Sequence, residues 1–392
     1  MVSITMNLRN HTVERGREVI LAWAFLLPYV CTNLLFVAKY APRQGIPPLV
    51  ACVIYGALAT GVLWAACCGA FDRLLRSTGV YTVAVLTAAV LLLLLMLQFD
   101  PEGIRNGRYW AVHEWLGRMS HGFFPYASPH LHTGFPFLFV LMLPFYLMGD
   151  VGLLQVCTFV MLAYIFRRGA VTNASAGILL LLAAPAFLYE IAVRSDLFSN
   201  IAILIFFLYL LDAILQRPTN HRWSAMGLAA GLLLATRAVS FLVWIAYLGY
   251  VIRRRPRAAL QLLAYSIAAF LAAIVPFWIW DARGFVAEGP FMTELTLSQL
   301  SLPWIAALII GAAVTGLLAD SLAAVLTAIG FTLFAAAVIP FFQCLWSAGL
   351  TWTIWRDGFD ISYFCFSLPP LLAGFVLRRV PGSGCSSELG TC

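Results

Sequence analysis

Chemistry-bearing side chains concentrate in one stretch, FDPEGIRNGRYWAVHEWLGRMSHGFFPYASPHLHTGFPF, from Phe99 to Phe137. It holds the carboxylates Asp100 and Glu102 separated by a proline, the arginines Arg105, Arg108 and Arg118, and His113, His121, His130 and His132. His130-x-His132 beside His121 and the carboxylates offers imidazole and oxygen donors, so a divalent metal stays open here and no other cofactor is indicated. Lys39 is the only lysine in the chain. Anion recognition therefore falls to arginine, whose planar fork suits phosphate oxygens. Outside this stretch, Arg237 lies between two apolar runs, where an unpaired charge is expensive and is usually functional. It either serves a ligand, snorkels to headgroups, or pairs with Asp196 as a structural bridge.

The elements that must position these groups are apolar helices. Of 392 residues, 62% are hydrophobic and only 10% are charged, against about 25% charged in an ordinary soluble domain. Val80 to Phe99 runs without a charge, as does the block from Ala258 to Trp280; about 20 such residues cross about 30 Å of hydrocarbon as a helix. The segments do not alternate polar and apolar, which excludes a β-barrel. The expected fold is an all-α, polytopic integral membrane protein. Its twelve expected spans are Val19 to Val37, Pro48 to Phe71, Val80 to Phe99, Val151 to Phe166, Val171 to Ala192, Leu197 to Leu215, Ser224 to Thr236, Ala238 to Ile252, Ala258 to Trp280, Trp304 to Leu318, Leu322 to Phe342 and Ile361 to Leu377. Phe135 to Gly149 is too short for a span and reads as a helix dipping in from the outer side. Ser224 to Thr236 with Ala238 to Ile252 could equally be a tight hairpin that does not fully cross.

The net charge of +7 resides in short connections and reads as a topology signal, with no nucleic-acid partner. A cytoplasmic N-terminus puts Arg73, Arg76, Arg167, Arg168, Arg217, Arg222, the Arg253 to Arg257 cluster, Arg378 and Arg379 inside. Both termini are then cytoplasmic. The outer polar material falls at Asp100 to Gly134, Glu190 to Asp196, Arg237, Asp281 to Pro303 and Gln343 to Asp360. The expected organisation is a cytoplasmic N-terminus (1–18), three spans (19–99), an outer loop with juxtamembrane and re-entrant helices (100–149), central transmembrane helices (150–280), outer loops with the C-terminal spans (281–379) and a cytoplasmic tail (380–392). Apolar residues from Ile104 to Met119 recur at helical spacing, predicting an interfacial helix anchored by Trp110 and Trp115. Trp355 to Asp360 reads as an anchor for the final span or as part of an acceptor site. The nine cysteines show no paired metal spacing.

The arrangement resembles the GT-C superfamily of membrane glycosyltransferases, which includes protein mannosyltransferases and lipid A aminoarabinose transferases. The resemblance rests on Asp100 and Glu102 after an early span, then Gly107-Arg108-Tyr109, Phe124-Pro125-Tyr126 and Gly134-Phe135-Pro136. Arg194-Ser195-Asp196 is similar to the second acidic position of such enzymes, and Ala235-Thr236-Arg237 to their basic turn. The chain departs from them in placing two spans before the one that feeds the acidic loop, and in Asp-Pro-Glu for an adjacent acidic pair, which leaves the choice between Asp100 and Glu102 open. The resemblance implies transfer of a sugar from a polyprenyl-phosphate donor to a lipid, glycan or protein acceptor at the outer face of a bacterial inner membrane. It implies an outer carboxylate, Asp100 or Glu102, as general base. It also implies Arg105, Arg108, Tyr109, Tyr126, Arg194, Asp196 and Arg237 around the substrate, with arginines stabilising the departing phosphate. The alternatives are a surface-polysaccharide polymerase or ligase, and a non-enzymatic transporter.

Overall fold

The computed structural model describes residues 25, 27–67, 70–71, 77–101, 107–128, 130–169, 173–216 and 222–378. Glu102, Arg105, the expected N-terminal segment and the expected tail lie outside the described residues. Every regular element among the described residues is helical, as the apolar blocks require: in hydrocarbon a segment must satisfy its own backbone hydrogen bonds.

Among the described residues five helices are long and apolar enough to cross a membrane: Pro48–Ala66, Thr78–Leu97, Leu197–Leu215, Pro256–Trp280 and Leu322–Trp355. Counting each bent helix pair as one span makes seven. Several apolar helices of spanning length make this a multi-pass membrane protein. Leu197–Leu215 is central, with 67% of its apolar window buried inside the protein, whereas Pro48–Ala66 shows 17% and turns most of its surface outward. Other expected spans are shorter. Trp223–Leu234 has 12 residues and Ser240–Arg254 has 15, about 18 and 22 Å at 1.5 Å per residue, the dimensions of the non-crossing hairpin allowed for above. Pro136–Leu147, with 12 residues, is likewise too short to cross.

The expected continuous span Val171 to Ala192 is broken. Ala174–Leu182 and Pro185–Val193 meet at 62°, because Pro185 starts the second piece and cannot donate to the first. The freed amide of Ala186 is taken up by Asn33 Oδ1 at 3.1 Å, and the Asn33 amide donates in turn to Tyr29 O. The break is therefore satisfied by the helix through residues 27–40 and leaves Glu190 on the second piece, fully buried.

Small residues set the closest packing. Gly227 and Gly231 form a GxxxG face on which Trp223–Leu234 lies against Pro256–Trp280. A Cβ on Gly227 would come within 2.6 Å of Tyr265 Cβ, and one on Gly231 would collide with the Ser266 carbonyl. Gly316 meets the Ala246 backbone in the same way. Apolar side chains gain nothing by leaving lipid for each other, so close backbone approach supplies the dispersion that holds such pairs. Gly231→Val is expected to cost about 1–3 kcal/mol, seen as an earlier unfolding transition in detergent. Gly311→Ala, where a Cβ meets nothing within 4 Å, should leave that transition in place.

Candidate functional site

Five segments expected on one side of the membrane do meet at one end of the bundle. Phe135 N donates to Thr236 O and Phe137 N to Ala235 O, both at 2.9 Å, which joins the early loop to the Arg237 turn. The segment after Pro256–Trp280 packs in through Phe285 on Tyr126 and Phe291 on Phe135. The late segment arrives through Asp360 on Arg108, and the 190–196 turn through Asp196 on Arg237. Arg167, Arg168, Arg253, Arg254 and Arg378 stand at the far ends of the helices that leave this region.

At the centre is a buried ion pair. Arg237 and Asp196 are 2% and 1% exposed, and both hydrogen bonds of the fork, Nε to Oδ2 and Nη2 to Oδ1, measure 2.7 Å. Nη1 donates to Thr133 Oγ1 at 2.6 Å and stands 3.5 Å from Glu294 Oε1. Of the three readings open for Arg237, the structure realises the pairing with Asp196. Two side chains come from chain breaks, Asp196 before Leu197–Leu215 and Arg237 in the 235–239 turn. Those breaks let charged groups sit at the bundle's end without interrupting a helix.

Arg108 projects from the Gly107–Ser120 helix to Asp360, to Ser362 Oγ at 2.8 Å and to the face of Tyr363. Burial would raise the Asp360 carboxyl, but the Arg108 guanidinium and the Ser362 hydrogen bonds override it and hold the group below the usual carboxylate range. Asp360 also caps the Ile361–Ser367 turn through Ser362 N, so this pair docks the final helical unit onto the early loop.

Arg194 has a different task. It is left-handed at φ 54, ending Pro185–Val193. Its side chain reaches Asp150 at 2.8 Å, Phe99 O at 3.0 Å and Met96 O at 3.2 Å. A guanidinium on the last carbonyls of Thr78–Leu97 is a favourable helix terminus. It fixes the residue immediately before Asp100, which is itself exposed.

The loop aromatics turn inward. Trp115, expected as a membrane anchor, is 1% exposed and stacks on Phe139 at 4.2 Å. Trp110 is half-buried. The Gly107–Ser120 helix is roofed by later segments, which a reading of its own periodicity could not include. Tyr126 is fully buried and donates to Gly134 O at 3.0 Å, and Tyr109 lies under the Arg194 guanidinium. Tyr126 thus shapes the loop from inside.

The histidines separate. His121 bonds Gly117 O at the end of its helix, and His130 meets Glu114 at 2.5 Å. Burial tends to raise Glu114, while Ser128 and His130 outweigh it and bring it below its ordinary value. His132 is 1% exposed with neither ring nitrogen hydrogen-bonded. Among the described residues no three His, Cys, Asp or Glu side chains converge as a metal site would require.

Beside the ion pair lies a small pocket, with room for about one water-sized group, lined by Arg108, His132, Thr133, Asp196 and Arg237 with Ala111, Val112, Leu131, Leu138 and Phe139. Four residues anticipated from sequence line it: Arg108, His132, Asp196 and Arg237. Asp100, Tyr109, Tyr126, Arg194, His121 and His130 are not in its wall. Thr133, Glu294 and Ser362 belong to the cluster and were not anticipated as site residues, while Asp360 belongs to the Trp355 to Asp360 segment read as an anchor or as part of an acceptor site. For Glu294 the available signal was scarcity, with only 17 acidic residues in the whole chain. No family model matches the chain, and no curated protein or solved structure matches it either.

Asp196→Asn leaves the Arg237 charge buried with a poorer partner, and a loss of about 3–5 kcal/mol is expected. Replacing both, as Asp196→Leu with Arg237→Met, should recover much of it in thermal unfolding. A second prediction concerns pH. Burial pushes His132 down to about 4 from about 6.5 in an unfolded chain. The unfolded state therefore binds the proton first, and this contribution, complete above about pH 6.5, is lost as pH falls toward 4. The loss amounts to about 2–3 kcal/mol, and the unfolding transition of His132→Gln should depend less on pH across that window.

Proposed function

We propose that this protein is a GT-C-type glycosyltransferase of twelve spans with both termini in the cytoplasm of a bacterial inner membrane. It moves a sugar from a polyprenyl-phosphate donor to a lipid, glycan or protein acceptor at the outer face. The observation that carries the reading is the polar cavity at one end of a lipid-facing helical bundle. Its wall combines two arginines, a histidine and a carboxylate. Trp278, Trp280, Trp304, Trp346 and Trp352 are exposed near the same end, as expected of residues at a headgroup interface. A polyprenyl chain would lie along the apolar surface while its headgroup met the polar end.

In this reading the acceptor hydroxyl attacks the anomeric carbon, and Asp100 or Glu102 takes its proton. The bond from that carbon to the phosphate oxygen breaks, and the lipid phosphate leaves with the electron pair. Arg194 holds the backbone beside Asp100 through Phe99 O and Met96 O and acts as a positioning residue. The charge on the leaving phosphate falls to Arg105, because Arg237 is committed to Asp196 and Glu294 and Arg108 to Asp360. A transporter is the second reading, favoured by the broken pair Ala174–Leu182 and Pro185–Val193 with buried Glu190, since interrupted helices bearing buried ionisable groups recur in transporters.

Purified protein in lipid nanodiscs, given a panel of polyprenyl-phosphate sugars, should release lipid phosphate. Asp100→Asn or Glu102→Gln should lower turnover by about 100-fold or more while donor binding persists. Uptake of a sugar into sealed vesicles, with no donor consumed by the wild type, would transfer the case to transport.

A further inference from the structure

We propose that the pocket beside His132 receives an uncharged hydroxyl of the sugar ring, and that His132 contacts it directly. The phosphate would then lie elsewhere, toward the loop. This inference rests on the reading of the protein as handling a lipid-linked sugar.

The argument begins with charge. The two arginines of the cluster face three carboxylates: Arg237 is engaged by Asp196 and Glu294, and Arg108 by Asp360. The cluster already carries more negative than positive charge, so an entering phosphate would meet repulsion and find the Arg237 fork occupied. Displacing Asp196 from Arg237 would leave a buried carboxylate unpaired, at a cost of several kcal/mol. A neutral hydroxyl pays neither penalty and can donate to carboxylate oxygens at the rim.

The second observation is His132. It lines the cavity, is 1% exposed, and neither Nδ1 nor Nε2 has a hydrogen-bond partner. A buried donor and acceptor left unmade cost about 1–3 kcal/mol each way, so a side chain held in that state points to a group that arrives later. Burial keeps the ring neutral at physiological pH. A neutral imidazole offers one N–H and one lone pair, which matches a hydroxyl, itself both donor and acceptor. A phosphate would instead call for the protonated ring. Thr133 Oγ1, already accepting from Arg237, adds a hydroxyl that can donate to the ligand. The rest of the lining, Leu138 and Phe139 with Ala111 and Val112, is apolar and suits the C–H groups that flank that hydroxyl. The pocket is small, with room for about one water-sized group, which is the size of a single hydroxyl.

The test compares binding, without turnover, of radiolabelled polyprenyl-phosphoryl sugar, of polyprenyl phosphate lacking the sugar, and of free methyl glycosides to the full chain in nanodiscs. His132→Phe is expected to weaken the sugar-bearing ligands about tenfold and to leave polyprenyl phosphate alone unchanged. His132→Gln, whose amide keeps a donor and an acceptor, should retain part of the affinity and serves if the phenylalanine variant fails to fold. Equal losses for polyprenyl phosphate with and without sugar would make the occupant the phosphate and overturn the proposal. Unchanged binding of every ligand in both variants would mean that the cavity holds only water, and would overturn it as well. If methyl glycosides bind in a His132-dependent way while no lipid-linked donor does, the sugar site stands and the transferase reading falls.

Discussion

The Asp196–Arg237 pair is the constraint around which the polar end of this protein is arranged. Two opposite charges at 1% and 2% exposure are tolerated only when their remaining hydrogen-bonding capacity is also met. Thr133 and Glu294 meet it, and each comes from a different segment. The early loop must therefore run beside the 235–239 turn, which the backbone bonds from Phe135 and Phe137 secure. The Pro290–Ser298 helix must lie close enough to bring Glu294 to the same guanidinium. One desolvated cation thus fixes the relative positions of three loops and of the helix that begins at Leu197.

Much of this was legible in the sequence, for identifiable reasons. Leu197–Leu215 was read to the residue because a strongly apolar block, with only Ser199, Asn200, Tyr209 and Asp212 as polar positions, ends in polar groups on both sides, Asp196 and Gln216. The short lengths of Pro136–Leu147 and of the two helices around Arg237 were also visible, since length in a membrane is a matter of counting. The break at Pro185 was hidden because Ala183, Ala184 and Pro185 are as apolar as their neighbours, so hydropathy continues across a bend that only a proline's missing donor explains. The GxxxG face of Gly227 and Gly231 was present as a pattern and needed a partner helix to give it meaning.

What sequence could not supply was pairing over distance. Arg108 reads as one more loop arginine until Asp360 is placed against it, and Trp115 reads as a headgroup anchor until Phe139 and Phe277 cover it. In both cases the local pattern was correct for an isolated helix on a surface. Later segments turned that surface into an interior, and the burial of His132 has the same origin. Arg194 shows the converse. Its position at a helix end was plain, yet its function as a clamp on the carbonyls of an earlier helix depends on a left-handed turn that nothing in the composition announces.

The Arg108–Asp360 contact joins residues 252 positions apart, and this bears on how the protein is made. Insertion proceeds from the N-terminus, so the early loop emerges long before the segment carrying Asp360 has been synthesised. Arg237 follows its partner after 41 residues, and that pair can close while the chain is still growing. Arg108 has to wait, with water or lipid headgroups as its companions, until 252 further residues have been made. The polar end is therefore finished only when the helical unit that Asp360 caps has arrived, and a chain cut before Asp360 carries the Asp196–Arg237 pair without the completed cluster.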